Sequence, residues 1–191
     1  MPNRNGSRPW GFAGWRWELL GPVRGPALEI GCGFGRNFAH YPPEAAVTAF
    51  DLDAERVTAA QLHAQRLRAP ERARIRLAVG DAEHMAWPNR TFEAVTGTLI
   101  FCSIPHPAQA LDEVRRVLRP GGRLYLVEHV RSDRPWLAAL QDALAPAWHW
   151  ATGGCNLNRE TAQTLRTSGF EIEQLKTGLS GVLNLIIARP R

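Results

Sequence analysis

The sequence predicts a single doubly wound α/β domain, with a mostly parallel seven-stranded sheet, helices on both faces and an antiparallel hairpin at the carboxyl end. Three observations predict it. From Pro26 onward, short apolar runs alternate with segments of helical period, the pattern of strand–helix units that build a parallel sheet. A glycine cluster follows the first run, and acidic residues stand at the ends of the next two, where an open α/β sheet binds ligands. The last two runs are joined by a short link containing Gly178 and Gly181, so they pair as a hairpin.

Each element has its own signal. Ala27–Ile30 and Ala46–Phe50 read as buried strands, with a short helix between them from about Gly35 to Tyr41. After Asp53, which suits a helix cap, the residues Val57, Ala60, Ala64 and Leu67 recur at helical spacing. Ile75–Val79 and Phe92–Thr98 are strands. A helix from Pro107 to Leu118 has proline at its first position, Leu111, Val114 and Leu118 on its inner face, and Pro120-Gly121-Gly122 to stop it. Leu124–Val130 is the fifth strand. A Trp-bearing helix from about Trp136 to Trp150 and another from Asn158 to Thr167 precede the hairpin strands Phe170–Leu175 and Val182–Ala188.

Residues 1–25 read as an amino-terminal Trp-rich cap segment and residues 26–191 as the domain proper. Trp10, Phe12, Trp15, Trp17, Leu19 and Leu20 crowd between Pro9 and Gly21-Pro22. Such a patch docks on the core, lies over the mouth of a site, or touches a bilayer surface.

Composition narrows the function. The 191 residues are 45% hydrophobic and 21% charged, enough for one core. No apolar stretch approaches the roughly 20 residues of a spanning helix, and the first residues lack a secretory h-region. A cytoplasmic location is the default expectation. Cys32, Cys102 and Cys155 are odd in number and form no CxxC pair, so neither a disulfide framework nor a metal site is expected. The net charge of +5 comes from scattered arginines rather than a basic tract, and no nucleic-acid partner is expected from it.

The strongest local motif is Leu28-Glu29-Ile30-Gly31-Cys32-Gly33-Phe34-Gly35. Glycines after a strand permit a tight turn and let a ligand approach the backbone. A dinucleotide fingerprint requires glycine at 36, where this chain has Arg36, which argues against a pyrophosphate. Asp51 ends the second strand, and a carboxylate there can accept hydrogen bonds from both hydroxyls of a ribose. Leu52 would then lie against the base. Gly80-Asp81-Ala82-Glu83 follows the third strand, where an acid accepts from an adenine amino group and the Ala82 amide donates to a ring nitrogen.

On these residues the chain resembles the class I S-adenosylmethionine-dependent methyltransferases, which have a Rossmann-like sheet. It is similar in particular to the methyltransferase-like thiol S-methyltransferases of animals and their bacterial relatives. That resemblance rests on Leu28 to Phe38, Gly80 to Met85, Leu99-Ile100-Phe101-Cys102-Ser103-Ile104-Pro105, Glu113 to Gly122, Glu128-His129-Val130 and Gly154-Cys155-Asn156-Leu157-Asn158-Arg159-Glu160-Thr161. It covers roughly residues 26 to 170 and implies S-adenosylmethionine as cofactor, with S-adenosylhomocysteine as product. It implies that Glu29 helps hold the amino-acid end of the cofactor and places Gly31, Cys32, Gly33, Gly35, Asn37, Asp51, Leu52, Asp81, Ala82, Glu83 and Thr98 around it. The animal members carry a long apolar amino-terminal anchor where this chain has its Trp-rich segment, so the resemblance reaches the cofactor more firmly than the acceptor.

Methyl transfer from a sulfonium is an in-line displacement that needs alignment above all; a thiol acceptor reacts as its thiolate. His129 and Glu128, at the end of the fifth strand, are the candidate catalytic residues, with His106, His149 and Asn156 behind them. Cys32 and Cys155 suit packing roles, and Cys102 suits the pocket wall. The expected partner is a small-molecule acceptor, a thiol or other soft apolar nucleophile. The alternatives are a quinone or phospholipid acceptor, with the Trp-rich segment in peripheral contact with a membrane, and a non-catalytic binding or scaffold role.

Overall fold

The computed structural model describes residues 12–72 and 74–191. The amino-terminal helix α1 (Phe12–Leu20) leads into β1 (Gly25–Ile30), β2 (Ala45–Asp51), α2 (Ala54–Gln65), the single turn α3 (Ala69–Arg72), β3 (Ile75–Val79) and β4 (Phe92–Thr98). Then come α4 (Pro107–Val117), β5 (Leu118–His129), α5 (Pro135–Thr152), α6 (Thr161–Thr167), β6 (Phe170–Gly178) and β7 (Leu183–Pro190). The seven strands form one sheet in the order β3-β2-β1-β4-β5-β7-β6. The first five are parallel, whereas β7 pairs antiparallel with both β5 and β6. Strand order reverses between β1 and β4, so the carboxyl ends of the parallel strands open onto a crevice.

Alternation along the strands divides the core in two. Leu28 and Ile30 of β1, Val95 of β4 and Leu124 and Leu126 of β5 pack on one face with Leu111, Val114 and Val117 of α4 and Leu165 of α6. Ala27, Val47, Ala49 and Val127 point the other way and meet Ala60 and Ala64 of α2 together with Leu19 and Leu20 of α1. Both leucines of α1 are fully buried, which makes the helix part of the domain's own core. Its aromatics dock as well: Trp17 packs on His40 with ring centroids 4.8 Å apart, and Lys176 Nζ sits 5.3 Å from the Trp15 ring. Trp10 lies outside the described residues.

Several elements depart from expectation for identifiable reasons. The helix expected over Gly35–Tyr41 is only a 3₁₀ turn, Phe38–His40, because Asn37 and Tyr41 are drawn inward by hydrogen bonds to buried Glu29. Helix α4 ends at Val117, and Pro120-Gly121-Gly122 lies inside β5 rather than ahead of it. Leu118 already pairs with Phe92, and the ladder then shifts register before resuming at Arg123 and Ala94. Gly121, at φ 80, takes up the kink. Helix α6 begins at Thr161 rather than Asn158. Before it, Asn158 donates to Asp142 on α5 and Arg159 to the Ile104 carbonyl, which holds Leu157–Asn158 in a turn ahead of the helix. The hairpin link is a tight turn at Leu179–Gly181 with Leu179 and Ser180 both at positive φ.

Helix α5 stands over the carboxyl edge of the sheet. Gln141 is its buried polar contact: its Oε1 accepts from the Ser132 amide, and its Nε2 donates to the Val130 and Leu157 carbonyls. Its outward side carries Trp136, Leu140, Leu144 and Trp148, four residues apart and 65, 47, 50 and 44% exposed. At the far side of the sheet the edge strand β6 carries Glu171, Glu173 and Lys176, and a bulge breaks its register at Glu173.

Candidate active site

The loop after β1 turns on glycines. Gly31 and Gly33 have φ of 66° and 51°, a region that L side chains enter only with strain. A Cβ on Gly31 would lie 2.5 Å from Ile100, whereas a Cβ on Gly33 would meet nothing within 4 Å. Gly31 is therefore fixed by the neighbouring loop, and Gly33 borders open space. The Gly33 amide donates to Asp51 Oδ2 at 2.9 Å, and the Asp53 amide donates to Asp51 Oδ1 at 3.1 Å. The tips of β1 and β2 are thus tied together through one carboxylate. Asp53 caps α2 by accepting from the Glu55 and Arg56 amides.

Two adjoining chambers open at these tips. One, of about 290 Å³, has Phe50, Leu52, Ala82 and Ile104 as apolar walls and Asp51 and Asp81 as acids. The other, of about 430 Å³, is bordered by Arg16, Arg36, Arg56, Asn37 and Thr98. Gly31, Asp51, Arg56, Ile100, Ser103 and Gly153 line both. Ligand pockets commonly run from roughly 300 Å³ upward. A more apolar chamber carrying Asp81 beside a more polar one carrying Arg16, Arg36 and Asn37, with Asp51 and Arg56 shared between them, suits a nucleoside joined to an amino-acid tail. Asn37 Oδ1 is buried and has no hydrogen-bond partner among the described residues, which leaves acceptor capacity beside the second chamber. A larger cavity of about 720 Å³ lies among Arg115, Arg116, Arg119 and Arg189 near Gly121-Gly122. Arg116, Arg119 and Arg189 are paired there with Glu113, Glu93 and Glu171, so its charge is largely answered within the protein.

The structure places the other expected residues less uniformly. Glu29 lines neither chamber. It is buried beneath the loop, where it accepts from Asn37 Nδ2 at 2.9 Å and from the Tyr41 hydroxyl at 3.0 Å. Burial pushes its pKa up to about 7 despite those donors. Asn37 Nδ2 also donates to Thr98 Oγ1 at 3.0 Å. Glu29 thus stands one residue behind the second chamber, holding Asn37, which lines it. Cys32 is buried in the loop, and burial with nearby Glu29 and Asp51 pushes its thiol up to about 12. Asp81 accepts from the Glu83 amide at 2.8 Å. Glu83 accepts from the amide and ring of His106, each at 2.8 Å, and those bonds hold its carboxyl below the usual range.

The two leading catalytic candidates, Glu128 and His129, lie behind and beside these chambers rather than on their lining. Glu128 is fully buried, and its carboxylate accepts from the Ile100, Phe101 and Cys102 amides at 3.0, 3.0 and 3.3 Å. Burial outweighs these donors and pushes its pKa up to about 7. Glu128 moors the loop after β4, whose Ile100 and Ser103 line both chambers, and does not itself face them. His129 lines neither chamber and sits beside Trp148, with ring centroids 6.5 Å apart. His149 bonds Asn156, whose Nδ2 donates to the Cys102 and Gly154 carbonyls. Sequence reasoning passed over Arg16, Arg56, Ser103 and Gly153. Arg16 was hidden in an aromatic run, and Arg56 sits three residues after the helix cap, where only the fold shows which way it faces.

Comparison with known proteins then decides the family. The family described as "Methyltransferase domain" matches residues 28–126. The chain belongs to the methyltransferase domain family. Its cofactor is S-adenosylmethionine, and the two-chambered crevice fits it: glycine backbone clears the approach, Asp51 stands at the junction, and Arg and Asn side chains border the second chamber. This methyltransferase domain is 37% identical over 155 residues to the human thiol S-methyltransferase TMT1A, covering 80% of this chain and 63% of that protein. It is 30% identical over 130 residues to phosphatidylethanolamine N-methyltransferase of Cereibacter sphaeroides, covering 65% of this chain and 63% of that one. The chain thus spans about three fifths of the length of these relatives. A crystal structure of a putative methyltransferase from Bacillus halodurans shares the fold, with a TM-score of 0.70 at 22% identity, covering 84% of this chain and 70% of that one.

Proposed function

We propose that the chain transfers the methyl group of S-adenosylmethionine to a small, soft nucleophile, a thiol above all. The observation that carries this reading is the meeting of two chambers at Asp51 and Arg56, with Arg16, Arg36 and Asn37 bordering the second of them. Asp81 and Asp51 would hold base and ribose, and Asn37 with the arginines would hold the amino-acid tail. When bound, the cofactor supplies an electrophilic methyl carbon and a neutral sulfur leaving group. The protein's task is then alignment and exclusion of water, which in well-oriented model reactions is worth about 7–11 kcal/mol.

The arginines also bear on the acceptor. Arg16 and Arg36 stand at the second chamber, where positive charge favours a thiolate over its thiol, whose free pKa is about 8.5, while Asp51, Asp53, Asp81 and Glu83 line the crevice as well and Asp53 pairs with Arg56. The similarity to TMT1A, named a thiol S-methyltransferase, supports the same choice. The test is a mixed panel of alkyl thiols, quinones and phospholipids incubated with protein and cofactor, with methylated products read by mass spectrometry. Methylated thiols are expected; a panel in which only quinones or lipids gain a methyl group would overturn the thiol reading.

One observation favours the lipid alternative. The exposed stripe Trp136, Leu140, Leu144 and Trp148 on α5, rather than the amino-terminal segment alone, presents apolar surface beside the crevice. A basic chain with such a stripe is drawn to anionic bilayers. No helix among the described residues is long and apolar enough to cross a membrane, so such contact would be peripheral. Salt-sensitive sedimentation with phosphatidylglycerol vesicles would support this second reading, and absence of binding at low salt would remove it.

A further inference from the structure

The cofactor crevice accounts for the glycine loop, Asp51 and the arginines, but not for a pair of thiols at its lip. Cys102 and Cys155 are 53 residues apart in sequence, yet their sulfur atoms lie 3.4 Å apart. Cys102 is buried in the loop moored by Glu128, and its carbonyl accepts from both the backbone amide and the Nδ2 of Asn156. Cys155 is only partly buried and follows Gly153 and Gly154, at φ 68° and 120°. Hydrogen bonds shared with Cys102, His129 and Trp148 hold the Cys155 thiol below its ordinary pKa, whereas the bond to Cys155 and then burial push that of Cys102 up. Cys155 is thus the accessible nucleophile and Cys102 the sheltered partner.

We propose that Cys102 and Cys155 are a redox-modification site, closing into a reversible disulfide by exchange with low-molecular-weight disulfides and so stapling the two lips of the cofactor crevice. In the first step the Cys155 thiolate attacks one sulfur of a disulfide RSSR; a Cys155–S–S–R bond forms, and RS⁻ leaves and takes a proton. Cys102 then gives up its proton and attacks the Cys155 sulfur, expelling the second RS⁻. Two protein thiols are oxidised, and one RSSR is reduced to two RSH. The sulfurs must close from 3.4 Å to about 2.05 Å, a small movement for a turn with two adjacent glycines.

The position of the bond gives it a consequence. Ile100 and Ser103, on the Cys102 loop, and Gly153, two residues before Cys155, line both chambers. A covalent tie between them opposes any opening that cofactor exchange requires. Formation of the bond does not depend on the transferase reading; only its effect on the cofactor does.

The experiment treats the full chain with oxidised glutathione, alkylates the remaining thiols, and digests for mass spectrometry. A cross-linked peptide joining Cys102 to Cys155 is expected, with Cys32 alkylated and the cross-link lost on reduction. Cys102→Ser should stop at the glutathione adduct on Cys155, and Cys155→Ser should give no adduct at Cys102. In the oxidised wild-type chain, release of radiolabelled cofactor should slow by about tenfold, reversibly, the scale that a cross-link can impose on local opening. A persistent glutathione adduct on wild-type Cys155 with Cys102 still alkylated would overturn the pair. A cross-linked protein that releases cofactor as fast as the dithiol form would overturn the staple.

Discussion

Asp51 carries two tasks on one carboxylate, accepting the Gly33 and Asp53 amides while standing where the two chambers meet. Replacing it with alanine removes charged hydrogen bonds, and Asp51→Ala is expected to weaken S-adenosylmethionine binding by about 1–3 kcal/mol, read by titration calorimetry. Unchanged affinity would remove the residue from the site. Glu29 makes a different prediction. Its pKa is raised to about 7 in the folded protein by burial, from an ordinary 4.5, so between these values the folded state holds a proton that the unfolded chain has lost. Its stabilising contribution is complete below about pH 4.5 and is lost as pH rises through 7. Glu29→Gln should therefore flatten the fall in unfolding free energy from pH 5 to 8, by as much as about 3 kcal/mol, in denaturant melts across that range. Positions such as Gly33, Asp51 and Asp81 were legible in the sequence because a glycine turn and an acid at a strand tip are local features. Glu29 and Glu128 were singled out as positions too, but not what they hold, since their partners are a folded-back Asn37 and Tyr41 in one case and three backbone amides in the other, and amides have no letter of their own.

At the scale of elements, α5 shows how one buried side chain holds a helix over the site. Gln141 satisfies the Ser132 amide and the Val130 and Leu157 carbonyls at once. Gln141→Leu keeps the volume and strands all three backbone groups, so a loss of about 3 kcal/mol is expected, seen as a lower midpoint in chemical unfolding. A change below about 0.5 kcal/mol, the usual effect of an innocuous surface substitution, would mean that water replaces the glutamine. The helix itself was visible as a Trp-bearing apolar segment, and α2 and α4 as periodic faces. The start of β5 at Leu118 is hidden in the sequence because Pro-Gly-Gly ordinarily ends a helix and opens a loop. Here Leu118 had already joined the ladder opposite Phe92, a pairing that depends on a strand 26 residues earlier.

For the whole molecule, the strand–helix alternation gave the layers, because each strand shows one set of residues to α4 and α6 and the other to α1 and α2. The alternation does not say how the amino-terminal helix joins the fold. Leu19 and Leu20 complete one core face, and that join brings Arg16 to the second chamber. Charge is likewise a property of the assembled surface: Arg123 and Arg189 answer Glu173 and Glu171, and Arg16, Arg36 and Arg56, the last paired with Asp53, meet at the crevice.

The outer strand β6 has consequences beyond this one chain. An unpaired edge is a template on which further copies can add, and charged side chains together with an irregular ladder are what discourage it. Glu171, Glu173, Lys176 and the break in register at Glu173 supply both. Glu173→Val combined with Lys176→Val is expected to leave the crevice intact while light scattering rises with protein concentration; unaltered scattering would show that the twist of the ribbon alone protects it. The same few side chains that contribute nothing to methyl chemistry would then decide how concentrated this protein can become before it begins to polymerise.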